Sequence, residues 1–139
     1  MQYVFKGQRM DERGARSFFA SGFAHDEKLL GYCIVVAREA GEVIGMAGLN
    51  PCDVLGEAGD HEFGIVIGRQ WWRQGFAAEI GRALRDHALA RWTRVLALAH
   101  PDNVASQLMI TEGLGMRLQT TVAAYRDRGP RHVYVAKRA

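Results

Sequence analysis

The sequence predicts an α/β domain with a mixed central sheet, one parallel strand pair inside that sheet and helices on its flanks. Two stretches and the hairpins around them predict this. Residues 61–81 run as an apolar strand, a short basic loop and a helix. Residues 94–100, Arg-Val-Leu-Ala-Leu-Ala-His, form a second apolar strand directly after that helix. A helix between two such strands implies a crossover, and a crossover implies parallel pairing. The chain on either side reads as hairpins.

The whole chain sets the bounds. At 139 residues it predicts a single domain, 1–139, with a substantial core. A hydrophobic share of 48% and a charged share of 24% are those of an ordinary globular protein. No apolar run reaches membrane-spanning length and no signal peptide heads the chain, so a cytoplasmic protein without a membrane partner is expected. The net charge of +3 and the pI near 9.1 mildly favour an anionic ligand. Nucleic acid is not expected, because the basic residues are dispersed and no aromatics interleave with them. Cys33 and Cys52 lack metal-ligand spacing; no metal is expected, and Cys33, within an apolar run, reads as a small buried hydrophobe.

In chain order, residues 1–9 carry no strong pattern, though Tyr3-Val4-Phe5 suits a short strand remnant or part of a lid. Met10 to Phe23 suits an amphipathic helix, with Asp11 and Glu12 at its start and Phe18, Phe19 and Phe23 along it. Tyr32 to Arg38 and Val43 to Leu49 are β-rich, and Glu39-Ala40-Gly41-Glu42 between them is a hairpin turn. Asn50 to Asp60 is loop. In the central strand Phe63, Ile65 and Ile67 alternate with Gly64, Val66 and Gly68, and Val66 keeps both faces apolar, as in a strand covered on both sides. Phe76, Ile80, Leu84, Ala88 and Trp92 then recur at helical spacing. Asn103 is a candidate N-cap for a further helix that Gly115 ends. Met116 to Tyr125 and Arg131 to Lys137 are strands around the turn Asp127-Arg128-Gly129-Pro130.

The junction near Gly75 aims unpaired backbone N–H groups and the positive end of a helix dipole at one point. Small residues at Gly75 and Ala77 let an anionic group approach the backbone. A basic turn on a solvated face is the plain alternative. The string is longer than a lone turn, however. Trp72-Arg73-Gln74-Gly75-Phe76-Ala77 resembles the pyrophosphate loop Gln/Arg-x-x-Gly-x-Gly/Ala of GCN5-related N-acetyltransferases, the GNAT family. Trp72 to Ile80 also resembles the string Trp-Gly-Lys-Gly-Tyr-Ala-Thr-Glu-Ala, usual in the branch that acetylates ribosomal-protein N-termini and in its small-molecule relatives. Pro101-Asp102-Asn103-Val104-Ala105-Ser106 is similar to the family's Asn-x-Ala-Ser segment. Glu112-Gly113-Leu114-Gly115-Met116 is similar to its Glu-Lys-Leu-Gly-Phe ending, and Glu42-Val43-Ile44-Gly45 to the start of its third strand.

The resemblance implies a GNAT fold with a splayed parallel strand pair, acetyl-CoA as cofactor, and transfer of an acetyl group to a primary amine of a small molecule or a protein N-terminus. It implies backbone N–H groups of Arg73, Gln74, Gly75, Phe76 and Ala77 around the pyrophosphate. It places Ile65, Val66 and Ile67 along the pantetheine arm, with one amide there stabilising the developing oxyanion. Asn103 and Ser106 would lie beside the pantetheine and thiol. Glu62, in a Glu-x-Gly segment, is the candidate base, directly or through water; a solvent-facing glutamate at a strand start is the alternative. His61 and His100 are reserves. The family's tyrosine that protonates the leaving thiolate falls on Ile110 or Thr111 here, so the thiolate leaves unassisted or takes its proton from Ser106 as a substitute donor.

Two departures from the family pattern carry expectations of their own. Met1-Gln2-Tyr3-Val4 resembles a segment that follows the family's first strand and helix, so an N-terminally shortened fold is expected, with a bare sheet edge that a homodimer partner or the N-terminus covers. The interval from Asn103 to Met116 is one residue longer than usual, which predicts a bulge within that helix. An acyl-CoA-binding module with little catalysis is the competing expectation.

Overall fold

A computed structural model of the chain describes residues 10–23 and 30–139. The elements follow in the order helix, hairpin, strand, helix, strand, helix, hairpin. They are α1 (Glu12–Gly22), β1 (Gly31–Val36), β2 (Val43–Pro51), β3 (His61–Ile67), α2 (Phe76–Arg91), β4 (Arg94–Ala99), α3 (Val104–Leu108), β5 (Arg117–Val122) and β6 (Arg131–Lys137). Tyr3-Val4-Phe5 lies outside the described residues.

Among the described residues, one six-stranded sheet runs β1-β2-β3-β4-β6-β5. All neighbours are antiparallel except β3 and β4, which are parallel, as a crossover through α2 requires. The sheet is therefore mixed, with its parallel pair at the centre. β2 and β3 pair over seven positions, from Gly45↔Ile67 to Pro51↔His61. β3 and β4 pair at one, Glu62↔Leu96. Beyond that position the two strands part.

The core is divided by the sheet. On one side Leu84 and Ala88 of α2 pack with Leu49, Phe63, Val95, Ala97, Leu114 and Tyr134. On the other, Leu96, Val133, Val135, Cys52 and Tyr125 form a smaller cluster. The segment after β5 folds back beneath the sheet, so the strand expected to reach Tyr125 stops at Val122. Tyr125 turns inward and its N–H bonds Gly129 O at 3.1 Å.

Other expectations hold or shift by a few residues. The β1–β2 turn closes through Gly41 at φ 68°, a left-handed conformation that glycine takes without a Cβ clash. β2 extends to Pro51, where β1 has already ended and no ladder bond is lost. α1 docks through Phe18 and Phe23 onto Tyr32, but Phe19 stays exposed and the helix buries no residue fully. Cys33 is half-buried, whereas Cys52 is the buried thiol; both are free. The last helix contains the predicted bulge: Met109–Gly113 is π-helical. Arg85 closes that segment, its Nη1 donating to Leu114 O at 2.6 Å.

Among the described residues, no helix is long and apolar enough to cross a membrane.

Candidate active site

The gap between β3 and β4 begins at the Glu62–Leu96 pair, and its backbone donors follow from strand phase. Gly68 N–H bonds Ile44 O of β2 at 2.8 Å. Alternation along an antiparallel ladder then turns Val66 and Gly64 toward β2 and Phe63, Ile65 and Ile67 toward β4. Phe63 lies level with the one parallel contact. Ile65 and Ile67 therefore present their amides to the gap. Val66, expected to pair with pantetheine as well, has its backbone committed to β2 and can meet a ligand only through its side chain.

At the C-terminal end of β3 the chain makes one 3₁₀ turn, Arg69–Trp71, and enters α2. Trp72 donates its indole N–H to Ile67 O at 2.8 Å, which ties the loop to the strand end while the ring stays 57% exposed. Gln74 Nε2 donates to Gln70 O at 3.0 Å. Arg73 and Gly75 both adopt left-handed backbone, at φ 60° and φ 84°. Such reversals turn successive N–H groups to one side and form an anion-binding nest. The first helical amide to find an acceptor is Glu79, bonded to Gly75 O at 3.0 Å. Among the described residues, no protein carbonyl meets the amides of Arg73 to Ala78. Nothing lies within 4 Å of where a Gly75 Cβ would stand, so the concavity is open. A diphosphate fits this donor set, and an extended pantetheine arm fits the gap beside it. Arg69 and Arg73 are exposed at the rim.

At the other wall, Asn103 caps α3 by accepting Ser106 N–H at 3.2 Å. That places Asn103 and Ser106 in one half-buried turn after β4. Gln107 Nε2 fastens the turn to Pro101 O at 2.6 Å. Ile110 is buried, and Thr111 donates its hydroxyl to Gln107 O at 2.9 Å. Neither offers a proton to the gap.

Glu62 lies on the sheet face opposite α2 and is 8% exposed. It is not the solvent-facing glutamate of the alternative reading. Its Oε1 accepts from Arg128 Nη1 at 3.0 Å. Burial opposes the Arg128 charge, but Glu62, through its charge and its hydrogen bond, leaves that pKa above the ordinary arginine value. Tyr32 lies against the same group, and the space a Gly64 Cβ would fill is taken by the Tyr32 hydroxyl and ring. Burial, then the Glu62 charge, push the Tyr32 phenol up, so it stays neutral. On the α2 side His61 stacks on Trp92, ring centroids 3.8 Å apart, which removes it from the Glu62 face. His100 is held within its own turn, Nδ1 accepting Asp102 N–H at 3.1 Å.

Sequence reasoning missed Tyr32 and Arg128. The Asp127–Pro130 turn was legible as a turn. Nothing in its local pattern announced that the loop returns under the sheet to a glutamate on β3.

Sheet and site together define the class: this is the acyl-CoA N-acyltransferase architecture, a mixed sheet parted at one parallel pair beside a cradle of main-chain amides. The chain belongs to the GNAT acetyltransferase family, whose model, described as "Acetyltransferase (GNAT) domain", matches residues 1–117. It is similar to an uncharacterized N-acetyltransferase, p20, of Bacillus licheniformis, with 35% identity over 74 residues, 52% of this chain and 40% of that protein. It spans 40% and 58% of the lengths of the two curated relatives it matches. A GNAT-family acetyltransferase from Bacillus anthracis has the same fold at TM-score 0.78 and 19% identity, covering 99% of this chain and 80% of that one. So does AAC(6')-Ib in complex with paromomycin and acetyl-CoA, at TM-score 0.73 and 18% identity, with the same coverage of 99% and 80%.

Proposed function

We propose that this protein is an acetyl-CoA-dependent N-acetyltransferase acting on a primary amine of a small molecule or a protein N-terminus. One observation carries the reading: amides at Arg73–Ala78 that meet no acceptor among the described residues adjoin a gap where β3 and β4 pair only at Glu62↔Leu96. Bound acetyl-CoA supplies the acetyl thioester. Arg73, Gln74, Gly75, Phe76 and Ala77 hold its diphosphate through N–H groups and the helix dipole. Ile65 and Ile67 donate amides along the gap, and Asn103 and Ser106 line its other wall. Glu62 takes the proton of the incoming ammonium, directly or through one water, from the face opposite α2. Arg128 keeps that carboxylate oriented. Ser106 is the hydroxyl nearest in role to a thiolate donor. Similarity of Trp72 to Ile80 to the ribosomal-protein branch supports an exposed α-amine as one acceptor type.

A second reading, an acyl-CoA-binding module with little turnover, draws on two features: Glu62 is already ion-paired, and Ile110 and Thr111 offer no proton. Coenzyme A calorimetry with thiol release across an amine panel separates the two. Binding with turnover on at least one amine supports the transferase; binding with none supports the module.

For assembly, the support lies at the β1 edge. Ile34, Val36 and Val43 are 46%, 51% and 62% exposed there, and a second copy covering them makes a homodimer. Light scattering that shows a monomer at all concentrations rejects it.

A further inference from the structure

On the sheet face opposite α2, Arg128 is met by Glu62 and Arg126 by Asp53, while Arg131 stands beside them without a carboxylate hydrogen bond among the described residues. Arg131 opens β6 one residue beyond the Ala99↔His132 pair, level with the open end of the β3–β4 gap. Alternation puts its side chain on the face of Val133 and Val135, which pack with Leu96 and Tyr125. Arg131 is 6% exposed. Its hydrogen-bond acceptor among the described residues is Pro130 O, reached by Nη1 at 2.7 Å. Glu62, on the same face, is engaged by Arg128. The phenols of Tyr32 and Tyr125 beside them are kept neutral by burial. A guanidinium carries five donors, and none of the Arg131 nitrogens that Pro130 leaves free is buried without a partner, so they reach solvent and are open to an anion. Burial, then the like charge of Arg128, lower the Arg131 pKa, and Glu62 offsets this only in part.

We propose that Arg131 binds a carboxylate of the acceptor, so that the amine acetylated here belongs to a small amino carboxylate. The acceptor's ammonium meets Glu62 and its carboxylate meets Arg131, one charge of each sign for the two ends of the site. A polycationic amine brings no anion to Arg131. The N-terminus of a folded protein continues into a neutral peptide group where the carboxylate is needed. This rests on the acetyl-transfer reading above.

The test uses matched pairs: phenylalanine with phenethylamine, lysine with cadaverine. Each is assayed for thiol release from acetyl-CoA with the wild type, Arg131→Gln and Arg131→Lys. A hydrogen-bonded charge pair makes the carboxylated member better by about tenfold to a hundredfold in kcat/KM, carried by KM. Arg131→Gln removes that preference while the decarboxylated member keeps its kcat/KM, and Arg131→Lys restores part of it. Equal kcat/KM for both members of every pair with the wild type overturns the carboxylate assignment and leaves acetyl transfer standing, whatever the variants do. No transfer to any amine, with coenzyme A bound, overturns the acetyl-transfer reading and this inference with it.

Discussion

Glu62 Oε1 and Arg128 Nη1 stand 3.0 Å apart, although 66 positions separate them in the chain. The pair joins the strand that opens the gap to the loop that folds back beneath it. It fixes a carboxylate at the point where β3 and β4 cease to pair, which is where the proposed reaction would need a proton acceptor.

Replacing Glu62 by Gln keeps the shape and a hydrogen bond to Arg128 but removes the proposed base. The rate at saturating substrates falls by about a hundredfold or more, the usual contribution of a positioned base. Coenzyme A affinity, measured by calorimetry, stays as in the wild type. An unchanged rate and pH profile would show that another group takes the proton.

Gly75→Ala tests the cradle. At φ 84° the new Cβ meets no atom within 4 Å, so the effect is conformational rather than a clash. Holding an alanine left-handed costs about 1–2 kcal/mol. Relaxing it turns the Gly75 amide out of the nest. Coenzyme A binding weakens by about tenfold, and the melting temperature drops by a few degrees. Full affinity in this variant would mean that these amides do not hold the diphosphate.

The loop between β2 and β3 is clamped by Arg94, whose Nε and Nη2 bond Asp60 at 2.7 and 2.6 Å while Nη2 also reaches Glu57 at 2.8 Å. Asp60 is buried and Glu57 is not. Asp60→Asn therefore destabilises the fold by about 2 kcal/mol, less than a fully buried pair because Arg94 keeps some solvent. Glu57→Gln changes stability by under about 0.5 kcal/mol. Urea unfolding of both variants provides the comparison.

Much of this arrangement was legible in the sequence, and the division has a physical basis. The β3–α2 junction and its glycine are local, because strand period, loop and helical spacing sit within twenty-one residues. Parallel pairing followed from the crossover. The one-residue surplus after Asn103 emerged as the π-helical turn at Met109–Gly113. Long-range side-chain contacts were not legible. Arg128 reaching Glu62, and Tyr32 filling the space above Gly64, depend on how loops return across the sheet. Strand phase also escaped: composition favours Ile65, Val66 and Ile67 equally, and only the Gly68–Ile44 bond shows that Val66 faces β2.

The buried acids set an alkaline limit. Burial first, with lesser electrostatic causes, pushes the Cys52 thiol and the Tyr32 and Tyr125 phenols above their ordinary values. The unfolded chain therefore ionises these groups before the folded chain does. Their contribution to stability is complete below the unfolded values and is lost as pH rises through the folded ones. Denaturation midpoints hold near neutrality and fall as pH climbs past the ordinary thiol value of 9.0 and then the ordinary tyrosine value of 10.0. Tyr125→Phe removes one titrating group and makes the fall shallower. A midpoint that is flat across this range contradicts the assignment.

The most direct test of the account is a crystal structure with coenzyme A. The diphosphate is expected on the amides of Arg73 to Ala78, with the pantetheine arm between β3 and β4 and bonded to the backbone of Ile65 and Ile67. Coenzyme A seated elsewhere on the molecule, or β3 and β4 closed against each other with the ligand present, would contradict it.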